Sequence, residues 1–323
     1  MNVLVPLFRL LSPAGAKARL SVLIFHRVLP QPDPLFPDEM HAVLFYEVCG
    51  WLASWFNVLP LDRAVAQLKT GTLPARAACI TFDDGYADNY QVALPILQHH
   101  GLTSTFFIAT GFLDGGRMWN DTIIETVRGC KDLSVIESEA RQSMTSGLHG
   151  LPRFARNDKI AAIAALINQI KYLPSSERIA ITEELAQMAK VQLPNDLMMT
   201  SDQVKAMRRA GMQIGAHTVS HPILARLTDQ QARKEIIESK IFLEQLLGEP
   251  VGLFAYPNGK PGEDYTPQSA ELVRSLGFDA AVSTQWGASG MSDDLFQIRR
   301  FTPWDSSRVR FGVRMLRNLR SRA

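Results

Sequence analysis

Seven short apolar segments alternate with helical patterns along most of this 323-residue chain. The segments are Leu20–Val28, Ala78–Phe82, Ser104–Thr110, Gln213–His217, Val251–Tyr256, Asp279–Ser283 and Phe296–Phe301. Each is rich in β-branched or aromatic residues and is bounded by Gly, Pro or polar residues, which is typical of buried strands. Apolar strands that alternate with helices predict a parallel sheet covered by helices. Seven such strands suit a closed or nearly closed barrel, in which the chemistry lies at the C-terminal strand ends.

Helical patterns fill most of the connections between these segments. They cover Asp88–His100, Ser201–Ala210, Thr228–Leu247 and Thr266–Leu276. The third begins with a capping-box pattern, and the fourth has Pro267 at its first helical position. These start and stop signals strengthen the prediction of an alternating α/β fold.

One long stretch, from Asn120 to about residue 197, contains no convincing strand. It carries helical patterns over Asn157–Tyr172 and Ser175–Val191 instead. We therefore expect a helical insertion at about 120–200 that forms a lid or side wall. The expected organisation is an apolar helical segment over 1–19, a barrel over 20–305 that contains this insertion, and a basic helix over 306–323.

Composition narrows the functional classes. The chain is 46% hydrophobic and 20% charged, with a net charge of only +2, so no general affinity for nucleic acid is implied. Its three cysteines fit neither a disulfide framework nor a thiolate metal site, and a sparse count favours a reducing compartment. The N-terminal segment lacks a basic region before its apolar stretch, so we do not interpret it as a signal peptide. No apolar run approaches 18 residues, so no transmembrane helix is expected.

Two carboxylates follow a predicted buried strand in the segment Thr81–Gly85. Neighbouring side chains on a strand point to opposite faces, so Asp83 and Asp84 can serve one site only where the backbone turns. Gly85 can supply that turn. The alternative is an ordinary Asp-Gly surface turn.

Two imidazoles follow another predicted strand, at His217 and His221. Gly215 and Pro222 argue against a long helix here, so the pair is expected to span a strand end and the turn after it. One Asp and two His around a metal with an open position are typical of a catalytic zinc site, with the second Asp free to act as a base. The alternative is that these histidines are structural.

The segments Thr81–Gly85 and His217–His221 resemble the first two motifs of the polysaccharide deacetylase family, also called the NodB-homology or carbohydrate esterase 4 group. The resemblance covers roughly Leu20 to Trp304 and implies a distorted (β/α)7-type barrel with a helical insertion. Phe254–Gly259 is similar to the third motif, in the form found in the poly-N-acetylglucosamine deacetylase branch. Ala255 stands where many members have Arg.

The resemblance implies roles for individual residues. Asp84, His217 and His221 are expected to bind a divalent metal, with Zn²⁺ as the first candidate. Asp83 is expected to be the general base, and the backbone N–H of Tyr86 is expected to stabilise the oxyanion.

His26 is the expected general acid. Family members usually end with a histidine motif that supplies this acid, but His221 is the last histidine in this chain. Leu23–Val28 looks like the same strand moved to the start, as in a circularly permuted barrel. A structural histidine is the alternative. Asp305 and Asp294 are weak candidates to orient the ring.

Arg300, at the end of the last predicted strand, is the candidate to replace the missing third-motif arginine and pair with Asp83. Arg299 would then point the other way. The resemblance also places Tyr256 and Pro257 among the substrate-binding residues.

Two tryptophans are further candidates for substrate binding. Trp304 could line the acetyl pocket or stack on a sugar, or it could be a core residue. Trp119 could line a sugar cleft, although a helix N-terminus explains its segment equally well.

The tail from Arg308 to Ala323 has six arginines and no acidic residue. It could lie on a membrane surface or pack on the barrel as a terminal helix. Contact between the termini and a membrane is therefore one expected partnership. We expect the protein to be cytoplasmic or peripheral at the cytoplasmic membrane, with export as an alternative.

The function we expect is metal-dependent removal of N-acetyl groups from an amino-sugar polysaccharide or its lipid-linked precursor. Two alternatives are a carbohydrate-binding protein with a degenerate site and a deacylase or deformylase of another sugar conjugate.

Overall fold

The computed structural model describes residues 4–134, 136 and 158–321. The chain divides into two compact units. Unit 1 comprises Met1–Pro32, Asp38–Leu113 and Met199–Ala323, and unit 2 comprises Asp33–Pro37 and Asp114–Met198. The predicted helical insertion falls in unit 2, and both terminal segments belong to unit 1.

Unit 1 contains all the described strands. They are β1 (Ser21–Phe25), β2 (Asn57–Val58), β3 (Ala77–Phe82), β4 (Thr105–Ile108), β5 (Gln213–Ala216), β6 (Leu253–Ala255), β7 (Ala280–Trp286) and β8 (Ile298–Phe301). Pairing between these strands is parallel, in the order β1-β8-β7-β6-β5-β4-β3, and β1 pairs with β3 to close a seven-stranded ring. The predicted (β/α)7 barrel is confirmed. Only β2 was not predicted, because two residues paired with the start of β3 leave no pattern in the sequence.

The described helices surround this ring or lie in unit 2. They are α1 (Leu4–Leu11), α2 (Ala42–Trp55), α3 (Leu61–Thr70), α4 (Leu94–His99), α5 (Trp119–Gly129), α6 (Lys159–Ile170), α7 (Ser175–Met188), α8 (Ser201–Arg209), α9 (Asp229–Leu247), α10 (Pro267–Ser275) and α11 (Arg308–Arg320). The predicted insertion helices are present as α6 and α7, although Asn157 lies outside the described residues. Helices α2 and α3 were not singled out from the sequence.

The predicted helix Asp88–His100 is divided into two parts. A π-helical turn covers Asn89–Ala93, and α4 follows it. Pro95 has no backbone N–H and so cannot donate to the carbonyl four residues earlier. The N–H of Leu94 reaches back five residues to the Asn89 carbonyl instead. The wide turn therefore ends two residues before a proline that disfavours a regular helix.

Alternation along the strands separates the inside of the ring from its outside. Val22 and Cys79 belong to one buried cluster, which also contains the apolar side of α3. Leu23 and Ile80 belong to the other, which lies under the outer helices. The backbone N–H of Leu61, at the start of α3, donates to the side chain of Gln213 at the start of β5 (2.7 Å). Helix α3 thus covers the N-terminal strand ends and leaves the C-terminal ends for a site.

Unit 2 has its own apolar core, made by α5, α6, α7 and residues of the Asp33–Pro37 segment. Asp33 and Arg128 form a bidentate ion pair in this unit, with N–O distances of 2.9 and 2.6 Å. That ion pair ties the short segment to α5.

The terminal helices pack on the barrel. Phe8 of α1 and Phe311, Met315 and Leu319 of α11 are buried. The apolar stripe of the basic tail is therefore used in packing, as the packed-helix alternative expected. Within the described part of the chain, no helix has both the length and the apolar character needed to cross a bilayer.

Candidate active site

The acidic doublet lies directly after β3, where the strand ends and the backbone turns. The turn starts at Asp84 itself, which has φ +76°, and continues through Gly85 at +94°. Aspartate tolerates this left-handed conformation better than most residues do. The backbone N–H of Asp83 still pairs with the Phe25 carbonyl (3.0 Å). This reversal allows adjacent aspartates to serve the same site.

Asp84, His217 and His221 converge, with ligand atoms all within 4.8 Å of one another. The Oδ1 atom of Asp84 is 3.5 Å from Nε2 of His217 and 3.4 Å from Nε2 of His221. It is buried and has no hydrogen-bond partner among the described residues. The Nδ1 atom of His217 pairs with the Ala255 carbonyl (2.8 Å), which leaves its Nε2 for a ligand. One carboxylate oxygen and two imidazole nitrogens fit a divalent metal, zinc included.

Electrostatics favour a cation at this position. Burial by itself would raise the pKa of Asp84, but the imidazoles of His217 and His221 outweigh it and hold that pKa well below its usual range. Burial would likewise lower the pKa of His217, but the charges of Asp83 and Asp84 raise it. Asp84 is therefore an ionised carboxylate at neutral pH.

Asp83 is paired with Arg300 inside the barrel. The two guanidinium nitrogens Nη1 and Nη2 donate to the two carboxylate oxygens at 2.7 and 2.8 Å, and Nε donates to the Ser283 carbonyl at 2.8 Å. Asp83 and Arg300 are 2% and 1% exposed. Burial would raise the pKa of Asp83, but the Arg300 charge and then that of His217 hold it below its usual range. The predicted contact between Arg300 and Asp83 is present.

His26 follows β1 as Asp83 follows β3, and the last residues of these strands, Phe25 and Phe82, are paired in register. Its side chain is exposed, and it is close enough to act electrostatically on both carboxylates of the doublet. The histidine from the start of the chain thus reaches the same strand ends as the two motifs.

The two candidates to orient His26 have other partners. Asp305 pairs with Arg314 (2.7 Å), and Asp294 pairs with Arg274 (3.2 Å). The expectation that either one orients His26 is not supported.

The loop His217–His221 is held on two sides by residues that carried no sequence signal. Both oxygens of Glu235, on α9, accept bonds from this loop, at 2.9 Å from Val219 N–H, 2.8 Å from Ser220 N–H and 2.7 Å from the Ser220 hydroxyl. The turn after β4 donates from Thr110 and Gly111 to two loop carbonyls. The loop needs these bonds because Thr218 and His221 have positive φ angles of 65° and 53°.

The predicted substrate residues differ in placement. Tyr256 is fully buried, stacks on Tyr265 (3.8 Å) and donates its hydroxyl hydrogen to the Phe296 carbonyl (2.9 Å). Pro257 is also buried. Neither side chain has a surface open to a substrate, so a direct contact is not supported for either. Trp304 is 72% exposed, three residues beyond β8, which is contrary to the core alternative.

The contacts within the site assign no role to two of the predicted residues, Trp119 and Tyr86. Trp119 lies in the core of unit 2 with the Arg178 guanidinium 5.2 Å from its ring centre. Tyr86 directly follows the doublet turn and is buried, and its role as a backbone donor stays a prediction.

Comparisons with known proteins agree with this geometry. The polysaccharide deacetylase family profile matches residues 70–152 and 170–281, more than half of the chain. A Bacillus subtilis (strain 168) protein named as a polysaccharide deacetylase, YxkH, is 21% identical over 88% of this chain and 71% of its own length. A poly-β-1,6-N-acetyl-D-glucosamine N-deacetylase of Staphylococcus aureus is 24% identical over 59% of this chain and 65% of its own, just under two thirds.

Solved structures show the same fold. IcaB from Ammonifex degensii superposes with a TM-score of 0.59 at 18% identity, over 93% of this chain and 98% of its own. The Streptococcus pyogenes deacetylase PplD, solved in complex with acetate, superposes with a TM-score of 0.58 at 18% identity, over 88% of this chain and 92% of its own. The profile match and the two motifs at their expected strand ends assign the chain to a family of amide-hydrolysing enzymes: it belongs to the polysaccharide deacetylase family.

Proposed function

We propose that this protein is a metal-dependent N-deacetylase that removes acetyl groups from an N-acetylated amino-sugar polysaccharide or its lipid-linked precursor. The observation that carries the proposal is the convergence of Asp84, His217 and His221 beside the Asp83–Arg300 pair. His26 completes the set at the end of the neighbouring strand. Each chemical requirement of amide hydrolysis then has a residue of this chain beside it.

A divalent metal held by Asp84, His217 and His221, Zn²⁺ in the first instance, would polarise the amide carbonyl and lower the pKa of water. Asp83, kept ionised and fixed in direction by Arg300, accepts a proton as the water oxygen bonds to the carbonyl carbon. The N–H of Tyr86 donates to the carbonyl oxygen as negative charge develops there.

His26 gives a proton to the nitrogen as the C–N bond breaks, because an amine leaves only when protonated. One water is consumed, and acetate and a free amino sugar form. Since His26 is exposed while Asp83 is buried, the acid lies on the side from which a polymer would approach.

The glycan class is supported by the relatives. The staphylococcal protein is named for poly-β-1,6-N-acetyl-D-glucosamine, an N-acetylated amino-sugar polymer. Trp304 supports a sugar substrate because an exposed indole beyond β8 offers a face on which a sugar ring can stack.

The test is acetate release from a panel of oligosaccharides: β-1,6-linked and β-1,4-linked N-acetylglucosamine pentamers, with the N-formyl analogue of each. We expect release from at least one N-acetyl pentamer by the parent protein and a loss of at least about 1,000-fold in Asp83→Asn, which keeps its metal. Turnover of the formyl analogues alone would favour the deformylase alternative. Equal turnover by Asp83→Asn and the parent would contradict the mechanism.

We also propose that the terminal helices bring the enzyme to an anionic membrane surface at the cytoplasmic membrane. Leu10 of α1 and Val309 of α11 are 76% and 73% exposed. The two helices touch at Leu4 and Gly312. Leu7 lies one turn from both Leu4 and Leu10 on α1, and Val309 lies one turn from both Gly312 and Val313 on α11, which supports a continuous apolar strip. The arginines beside it, with no acid after Asp305, complement anionic lipid head groups.

Co-sedimentation with vesicles tests this contact. We expect binding to phosphatidylcholine vesicles that contain phosphatidylglycerol, and at least about fivefold less binding in the double variant Leu10→Glu/Val309→Glu. Ile241→Glu on α9 is the control because Ile241 is also exposed (44%) but lies on another helix. Equal binding by the double variant and the control would contradict the proposal, as would no binding by the parent.

A further inference from the structure

The segment His26–Val28, which we call the β1 exit, is bonded at each residue to two side chains that follow the acidic doublet. Asn89 Nδ2 donates to the His26 carbonyl (2.9 Å). Asp88 accepts from Arg27 Nε (2.8 Å) through Oδ2 and from the Val28 N–H (3.1 Å) through Oδ1. Three consecutive residues that leave β1 are thus fixed by two neighbouring side chains.

The two side chains that hold the β1 exit are buried. Asp88 is 5% exposed and Asn89 is 0% exposed, and Asn89 Nδ2 also donates to Asp88 Oδ1 (3.2 Å). The Arg27 guanidinium lies 4.6 Å from the ring centre of Tyr86. Burying an amide and a carboxylate side by side is costly unless both are bonded, so the segment they hold is expected to be rigid.

The backbone around Asn89 supports the same interpretation. Asn89 starts the π-helical turn before Pro95, and such turns occur frequently at functional sites. Asp88 is the residue before this turn and Asn89 is its first residue, so both side chains that contact the β1 exit lie where the turn begins.

The same short stretch of chain carries the base and a metal ligand. Asp83 and Asp84 come five residues before Asp88 and Asn89, respectively. The position of His26 relative to Asp83 is therefore set by residues 83–89 from both sides, through the Asp83 N–H bond to the Phe25 carbonyl and the Asn89 bond to the His26 carbonyl.

We propose that Asp88 and Asn89 are positioning residues, which hold the β1 exit so that the His26 imidazole faces the nitrogen of the scissile amide. The inference rests on the proposed function because it takes His26 as the general acid. Asp88 and Asn89 place that acid without touching the substrate. They take the orienting role that was first considered for Asp305 and Asp294.

The chemistry of the leaving group separates this role from a structural one. An amine must be protonated to leave, whereas a nitrophenolate leaves without an acid. A misplaced His26 therefore slows amide hydrolysis and spares hydrolysis of 4-nitrophenyl acetate at the same metal and base. General loss of structure slows both reactions equally.

Asn89→Leu is the main variant, and Asn318→Leu is its matched control. Asn318 is also fully buried and also donates through Nδ2 to β1, but to Ser21 at the opposite end of the strand (3.1 Å). We expect Asn89→Leu to lower kcat for an N-acetylglucosamine pentamer at least about tenfold, with the kcat for 4-nitrophenyl acetate within about twofold and metal content unchanged. Asn318→Leu should leave the ratio of the two kcat values unchanged. Asp88→Asn, which keeps the side-chain size and weakens the bond to Arg27, is the second variant and should shift the ratio in the same direction.

The variant His26→Ala distinguishes a failure of the positioning inference from a failure of the proposed acid role of His26. If His26→Ala lowers the amide-to-ester ratio and the Asn89 and Asp88 variants do not, the positioning inference is wrong and the proposed function stands. If His26→Ala leaves the ratio unchanged, His26 is not the acid, and both that part of the mechanism and the inference are overturned.

Discussion

At the scale of the residue, the site depends on a buried charge pair that the sequence partly predicted. The alternation of side chains along β8 indicated that Arg300 and Arg299 point to opposite faces. The motif resemblance indicated that the Asp83 carboxylate pairs with an arginine. The structure places Arg300 inside the barrel against Asp83. Sequence reasoning did not find the burial of Tyr256, because a motif shows that a residue recurs in a family but not which surface it faces.

Removing one member of this pair is expected to destabilise the fold. Arg300→Met leaves the Asp83 carboxylate buried without its cation, and breaking a buried pair in this way costs about 3–5 kcal/mol. Denaturant unfolding of the parent and the variant measures the difference. The double variant Asp83→Leu/Arg300→Met should lose less stability than Arg300→Met alone because no unpaired charge remains.

Arg299→Met is the control for this prediction. It removes the neighbouring arginine, which is only partly buried, and should change stability by less than about 0.5 kcal/mol. Equal losses from Arg299→Met and Arg300→Met would show that the Asp83 pair has no special part in stability.

At the scale of the element, close backbone contacts determine where the histidine loop lies. A Cβ atom at Gly111 would lie 2.8 Å from the Val219 carbonyl oxygen, so the turn after β4 can approach the loop only with glycine there. No periodicity marks such a contact. The same holds for Glu235, whose partners are 15 and 16 residues away along the chain. The strands and helices were predictable from local patterns, whereas these contacts between elements were not.

Gly111→Ala is therefore expected to shift the loop and weaken metal binding. A displacement of the support behind two ligands should reduce metal affinity by about 10–100-fold, as is usual when residues that orient ligands are lost. Competition with a chromophoric chelator measures it. Gly290→Ala is the control, since a Cβ there meets no atom within 4 Å, and it should bind metal as the parent does. Unchanged affinity in Gly111→Ala would contradict the claim that this contact places the loop.

The ion pair of Asp33 and Arg128 gives unit 2 a pH-dependent stability. The bond to Arg128 holds the pKa of Asp33 below its usual value, so the pair stabilises the folded state above the unfolded pKa of about 4 and stops doing so as pH falls through the folded value. Asp33→Asn should cost about 1 kcal/mol at pH 7, a modest value because Arg128 is 35% exposed.

Thermal unfolding at a series of pH values tests the direction of this pH dependence. The difference in stability between the parent and Asp33→Asn should shrink as the pH falls below about 4. Asp202→Asn, whose pair with Lys205 is on the surface, should match the parent throughout. A difference in stability that widens in acid would contradict the claim that the ionised Asp33–Arg128 pair stabilises the fold.

At the scale of the whole molecule, the ring is closed by a strand from the start of the chain. Because β1 lies between β8 and β3, His26 arrives beside the doublet although 56 residues separate it from Asp83, as the permuted order predicted. Parallel pairing brings the C-terminal ends of all seven strands to one rim, so motifs far apart in sequence meet there. The helical patterns of the insertion were also predictable, but its core and its bond to Asp33 depend on contacts that no local pattern encodes.

The most direct test of the account is acetate release from an N-acetylglucosamine pentamer by protein stripped of metal and then titrated with Zn²⁺. We predict that stripping abolishes release, that about one equivalent of Zn²⁺ restores it, and that His217→Ala recovers nothing at the same concentration. Full activity of the stripped protein, or full recovery by His217→Ala, would contradict the claim that Asp84, His217 and His221 hold a catalytic metal.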